Sequence, residues 1–189
     1  DLGDIEFTGE VAVENFKKIK TFVKDVLVSN QKLVSLGGDH SVSWPILDAH
    51  LDIWDALDIL HIDAHPDLYD SLLGNKLSHA SPFARIMETG RASRLVQVGI
   101  RTLNKHQREQ AEKFGVEIYQ MKDLTKLNSL SFSKPVYCSI DIDALDPAYA
   151  PGVSHFEPGG LSTRQLIDCL NGFKGCLLYT SDAADDLRC

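Results

Sequence analysis

Ile59-Leu60-His61-Ile62-Asp63-Ala64-His65-Pro66-Asp67 joins a short apolar run to three metal-liking side chains set at every second position. Alternation along a strand sends successive side chains to opposite faces, so Asp63 and His65 point to one side and Asp67 follows as the strand opens into a loop. Two carboxylates with an imidazole between them are half of a metal site. The other half stands at two further strand-like ends. His40 closes Leu33-Val34-Ser35-Leu36-Gly37-Gly38-Asp39-His40, and Asp141 and Asp143 close Val136-Tyr137-Cys138-Ser139-Ile140-Asp141-Ile142-Asp143. Three apolar strands that each end in acidic or imidazole residues predict an α/β fold with a mostly parallel sheet and a site at its carboxyl edge.

Outward from that stretch, helix and strand signals alternate. Val13, Phe16, Ile19, Phe22, Val23, Val26 and Leu27 recur at three and four and predict an amphipathic helix. Leu33 to Leu36 reads as a strand, after which Gly37-Gly38 lets the backbone turn close to a ligand. A helix is predicted from near Trp44-Pro45, a strand over 58–63, and a long loop over 66–78. Ser81-Pro82 reads as a cap and first-turn proline for a helix that stops at Gly90. Strands over 95–100, 116–119 and 136–142 alternate with helices over 105–114 and 122–130. Such alternation implies crossover connections. Ser162 with Gln165 forms a capping box, and Leu161 with Leu166 its hydrophobic staple. The reading puts one domain over residues 1–174. Gly175-Cys176-Leu177-Leu178-Tyr179-Thr180 could form a strand, but the reading leaves 175–189 outside the fold, because Ser181-Asp182-Ala183-Ala184-Asp185-Asp186 continues neither period and has little apolar surface to offset the cost of ordering.

The 189 residues are 43% hydrophobic and 24% charged, which suits one α/β core. A net charge of −8 without a basic stripe argues against a nucleic-acid partner and suits a cationic substrate. Cys138, Cys169, Cys176 and Cys189 form neither a disulfide framework nor a zinc clip, so a reducing intracellular compartment is expected. No run approaches the ~18 apolar residues of a membrane span, and no membrane partner is expected. The chain opens on Asp1, so the sequence says nothing of a targeting segment upstream.

Two divalent ions held roughly 3.5–4 Å apart need carboxylates that bridge them, and six Asp or His ligands suit two ions better than one. Oxygen ligands mixed with imidazole, without thiolate, favour manganese over zinc. Taken singly, an aspartate at a strand end serves as a cap or turn residue. Convergence of three groups at one sheet edge is what capping does not require.

In three ordered motifs the chain resembles the ureohydrolase family, which contains arginases and agmatinases. These are Gly37-Gly38-Asp39-His40-Ser41, Asp63-Ala64-His65-Pro66-Asp67, and Ser139-Ile140-Asp141-Ile142-Asp143-Ala144-Leu145-Asp146-Pro147. It is similar to plant-type arginases through Asp67-Leu68-Tyr69-Asp70, Gly74-Asn75-Lys76, Ser78-His79-Ala80-Ser81 and Ser154-His155-Phe156-Glu157-Pro158-Gly159-Gly160. The resemblance implies a three-layer α-β-α fold and two Mn(2+) ions. One would be held by His40, Asp63, Asp67 and Asp141, the other by Asp63, His65, Asp141 and Asp143. It further implies hydroxide attack on the guanidinium carbon, a proton delivered to the leaving amine through Asp67, and a proton relay at His79. Ser139 would support the ligands, and Asn75 and His155 would contact a small guanidino substrate.

The activity so implied is hydrolysis of L-arginine to L-ornithine and urea. The parent would be a homo-oligomer in a mitochondrial or plastid matrix if plant-type, and cytoplasmic otherwise. Where animal arginases read the substrate α-amino group, this sequence has Arg101-Thr102-Leu103-Asn104, which leaves agmatine hydrolysis to putrescine and urea as an alternative. The family's guanidinium-binding glutamate motif has no counterpart here. A third reading therefore stands beside these two: a poorly stable, non-catalytic metal-binding fragment.

Overall fold

The computed structural model describes residues 1–7, 12–29, 32–172 and 177–179. Strand β1 (Leu57–Ile62) is buried at every position, as expected of a strand covered on both faces. It pairs in parallel with β2 (Ala92–Ile100) on one side and β4 (Val136–Ile140) on the other. β3 (Glu117–Gln120) extends the sheet beyond β2 and β5 (Leu177–Tyr179) beyond β4, giving the parallel order β3-β2-β1-β4-β5.

Alternation along these strands divides the interior into two cores. On one face Ile59, Leu95 and Tyr137 pack with Ile19, Val23 and Leu27 of α1 (Ala12–Val28), Leu47 of α2 (Ser43–Leu51), Phe83 of α3 (Pro82–Glu88) and Ala111 of α4 (Lys105–Phe114). On the other, Leu60, Ile62, Val96, Val98, Val136 and Cys138 meet Leu130, Phe132, Leu161 and, from α5 (Thr163–Gly172), Leu166. The sheet between two covering layers is the expected three-layer arrangement.

Local signals account for most element ends. Ser162 Oγ accepts from Gln165 N at 3.2 Å while Gln165 Oε1 accepts from Ser162 N at 2.8 Å, so the capping box forms as its sequence predicts. Asn104 and Gln107 make a second such box at α4, which ends at the left-handed Gly115. Ser81 precedes α3 but makes no side-chain cap bond; its hydroxyl lies 3.0 Å from that of Ser78.

Two further expectations are corrected. Residues 33–36 form no strand. The segment is extended, with Val34 and Leu36 exposed, because β propensity reports fit to a sheet surface and no described strand pairs with this one. Conversely, Leu177–Tyr179 falls in the segment set outside the fold, yet it lies against β4 in register Val136↔Leu177 to Cys138↔Tyr179. The free ladder edge of a deeply buried strand supplies the reason, since its backbone groups require partners. The remaining tail residues lie outside the described ones.

The β2–β3 register passes from Val98↔Tyr119 to Ile100↔Gln120 and skips Gly99, a bulge at the carboxyl end of the sheet. Gly99 has φ +92°, and a Cβ there would lie 3.0 Å from the Asp63 carbonyl oxygen. Only glycine meets both demands without strain. Gly99→Ala is expected to lower the unfolding free energy by about 1–3 kcal/mol, measured by urea denaturation.

Candidate metal centre

One residue beyond β1 and β4, backbone bonds continue the ladder from β1 to β2 and from β4 to β1. Asp63 N donates to Val98 O at 3.0 Å, and Asp141 N to Ile62 O at 2.9 Å, so the two aspartates leave the sheet side by side. Asp141 then accepts from Asp143 N at 2.8 Å, which starts a 3-10 turn over Ile142–Ala144 and swings Asp143 back toward β1. There Asp143 Oδ1 accepts from Ala64 N at 3.2 Å. Asp63 Oδ1 accepts from His65 N at 2.7 Å. The chain turns sharply at Asp67, whose φ of 48° is one that aspartate tolerates better than most residues.

His40 arrives from a separate turn. Asp39 caps the 3-10 helix His40–Val42 by accepting from Ser41 N at 2.9 Å, so this motif aspartate is a cap and His40 is the residue delivered inward. The His40 Nε2 lies 3.0 Å from Ser139 Oγ, where the sequence places a supporting hydroxyl.

The six candidate ligands converge in two lobes that share Asp63. His40 Nδ1 lies 3.2 Å from Asp63 Oδ2, 3.0 Å from Asp67 Oδ2 and 3.3 Å from Asp141 Oδ2. His65 Nδ1 lies 2.9 Å from Asp143 Oδ2 and 3.4 Å from Asp63 Oδ1. One imidazole nitrogen offers a single hydrogen, whereas three carboxylate oxygens surround that of His40. A cation serves all four atoms at once, so the donor set fits a metal ion in each lobe.

Protonation follows from this crowding. Burial lowers the pKa of His40 and His65, but their carboxylate neighbours outweigh it, raising His40 well above its ordinary value and His65 to about 11. Burial and the charge of Asp63 push Asp143 up to about 8 and also raise Asp141. Asp63 is held well below the usual carboxylate range despite burial, by the imidazoles of His61, His40 and His65.

The other candidates line the His65 side. The His155 ring lies 5.6 Å from that of His65 and 6.4 Å from that of exposed His79, so three imidazoles are ranged outward from the buried cluster. Asn75 is exposed within its own loop, where Oδ1 accepts from Leu77 N at 2.9 Å, and no described contact joins it to the cluster.

Three residues to which the sequence assigns no role at the centre also belong here: Glu157, which stands in a quoted motif, Arg101 and His61. Glu157 Oε1 lies 3.5 Å from His65 Nε2. Arg101 donates to the carbonyls of Asp143 at 2.7 Å and Glu157 at 2.8 Å, fastening the Asp143 turn to the 157 loop. His61 Nε2 lies 2.7 Å from Asp63 Oδ2. A histidine inside the apolar run Ile59–Ile62 was the available signal for the last; the first two depend on loop packing.

The family model described as "Arginase family" matches residues 1–184. "Arginase 1, mitochondrial" of Oryza sativa subsp. japonica is 55% identical over 148 residues, covering 74% of this chain and 44% of that protein. "Arginase 2, chloroplastic/mitochondrial" of Arabidopsis thaliana is 45% identical over 209 aligned positions, covering 99% of this chain and 61% of that protein. The structure "Arginase from Medicago truncatula" superposes with a TM-score of 0.87 at 45% identity, covering 93% of this chain and 58% of that one. The chain therefore spans about half the length of the curated relatives it matches. Ordered motifs, a parallel sheet with six Asp and His residues converging at its carboxyl edge, and a family match over nearly the whole length agree: this chain belongs to the arginase family of ureohydrolases.

Proposed function

We propose that this chain carries the metal centre of a manganese-dependent hydrolase that converts L-arginine to L-ornithine and urea. The observation that carries the reading is the pair of lobes sharing Asp63. His40, Asp63, Asp67 and Asp141 would hold one ion, and Asp63, His65, Asp141 and Asp143 the other, with Asp63 and Asp141 bridging. The set is oxygen-rich with two imidazoles and no thiolate, Cys138 being buried in the opposite core, which suits manganese. When bound, such a pair supplies a water acidic enough to lose its proton near neutral pH.

The chain's own groups do the rest. An amine leaves the tetrahedral carbon only once protonated, and Asp67 would hold that proton and pass it on, a role its burial beside His40 supports. His79, exposed at the rim, would relay protons between solvent and the site. His155 lies between it and His65 and would contact the substrate, while Asn75 would meet its amino-acid end.

A second reading, agmatine hydrolysis, has one observation behind it. Arg101 is committed to backbone carbonyls and Asn104 caps α4, so neither is free to read an α-carboxylate. Urea release from arginine and agmatine, measured side by side, decides between them. The plant relatives' names support a mitochondrial or plastid location, and the resemblance to arginases supports a homo-oligomeric parent.

Metal analysis should find both ions lost in Asp63→Ala and Asp141→Ala and one retained in His40→Ala; equal stoichiometry in all three variants contradicts the assignment. Ligation needs neutral His65 and ionised Asp143, whereas the surrounding carboxylates raise the pKa of His65 to about 11, and burial with the charge of Asp63 raises that of Asp143 to about 8. Manganese binding should therefore release protons, and affinity should rise with pH most steeply below pH 8. Calorimetric titration in buffers of different ionisation enthalpy measures both. In a protein carrying this segment and turning over arginine, His79→Ala should lower kcat on the order of 10²-fold with manganese content unchanged.

A further inference from the structure

Across the sheet, Gln97 of β2 is in register with His61 of β1, which is in register with Ser139 of β4. This buried polar row lies on the same face as the apolar row Leu95, Ile59 and Tyr137, one alternation nearer the metal centre. Ser139 meets His40. We infer that the other two members form a positioning clamp for Asp63, in which Gln97 fixes the tautomer of His61 and His61 fixes the carboxylate oxygen that faces His40. The inference rests on the metal reading of the centre and extends it to residues outside the ligand set.

Hydrogen-bond polarity carries the argument. Gln97 Nε2 lies 2.6 Å from the Pro66 carbonyl oxygen, which can only accept, so this atom is the amide nitrogen and the amide has one orientation. The same nitrogen lies 3.0 Å from His61 Nδ1. An amide nitrogen only donates, so Nδ1 accepts and the ring hydrogen sits on Nε2. From there it is donated to Asp63 Oδ2 at 2.7 Å. A protonated Nε2 cannot ligate a metal, which makes His61 a support for Asp63 and not a seventh ligand, although it lies among the ligands.

Phe83 sets the plane of the ring by stacking on His61 with centroids 3.9 Å apart and 28° between planes. Asp63 is then gripped at both oxygens: Oδ1 by His65 N and Oδ2 by His61. A carboxylate shared between two lobes must hold one orientation for both, and this grip supplies it. Because Gln97 also holds the Pro66 carbonyl, one side chain ties Asp63 to the turn that presents Asp67.

The test is Mn(II) titration of the full 189-residue chain, following free ion by electron paramagnetic resonance, with 15N shifts of the His61 ring. Gln97→Met and His61→Phe keep volume and stacking but remove the donors. Each should weaken the ion at the His40 lobe by about 10- to 100-fold and affect the other less. His61→Gln, which keeps an amide donor toward Asp63, should bind both ions nearly as the wild type does. Wild-type shifts should show a bare Nδ1 and a protonated Nε2. The clamp is overturned if wild type loads two ions and the Met and Phe variants match it, if His61→Gln is as weak as His61→Phe, or if Nδ1 carries the hydrogen. Wild type that takes up no manganese overturns the metal reading and the clamp with it.

Discussion

Four aspartates are gathered at one dry sheet edge, and the surrounding architecture answers that concentration of charge. Asp63, Asp67, Asp141 and Asp143 are all buried, and carboxylates so placed cannot all ionise without counter-charge. Two imidazoles, several backbone N–H groups and raised carboxyl pKa values share the load. The sheet keeps the groups together regardless, because stitches from Asp63 to Val98 and from Asp141 to Ile62 continue the backbone ladder into the site. Fold and site are therefore not separable layers; the last rungs of the sheet are the first bonds of the centre.

How much of this is legible in the sequence depends on the range of the interaction. Asp63, His65 and Asp67 are readable because a period of two and a terminal loop are local properties. His40, Asp141 and Asp143 are readable because each closes an apolar run. Leu33 to Leu36 misleads for the complementary reason: it has the composition of a strand, but a strand exists only through its neighbour. Leu177 to Tyr179 is the converse, since a run too short to argue for itself is paired by β4.

Arg101 illustrates a second kind of illegibility. Its position suggests substrate recognition, yet its guanidinium spans the carbonyls of Gly99, Asp143, Ala144, Leu145 and Glu157. Nothing in a local pattern tells an arginine that binds ligand from one that holds loops. The distinction is one of what else is buried nearby. Here several carbonyls at the end of a 3-10 turn need donors, and one planar cation with five N–H groups supplies them. The same fastening holds the loop from which Glu157 reaches His65.

The hydrogen bond between His40 and Ser139 joins residues 99 positions apart, and β1 meets β4 across a comparable stretch. Contacts of such sequence separation require the intervening chain to be closed into a loop before they return any stabilisation, which makes them late and slow events in folding. Cation capacity therefore emerges only after the central strands have paired. A metal ion bound there would act on the finished state, slowing its unfolding by mass action while leaving the search for the topology to the chain alone.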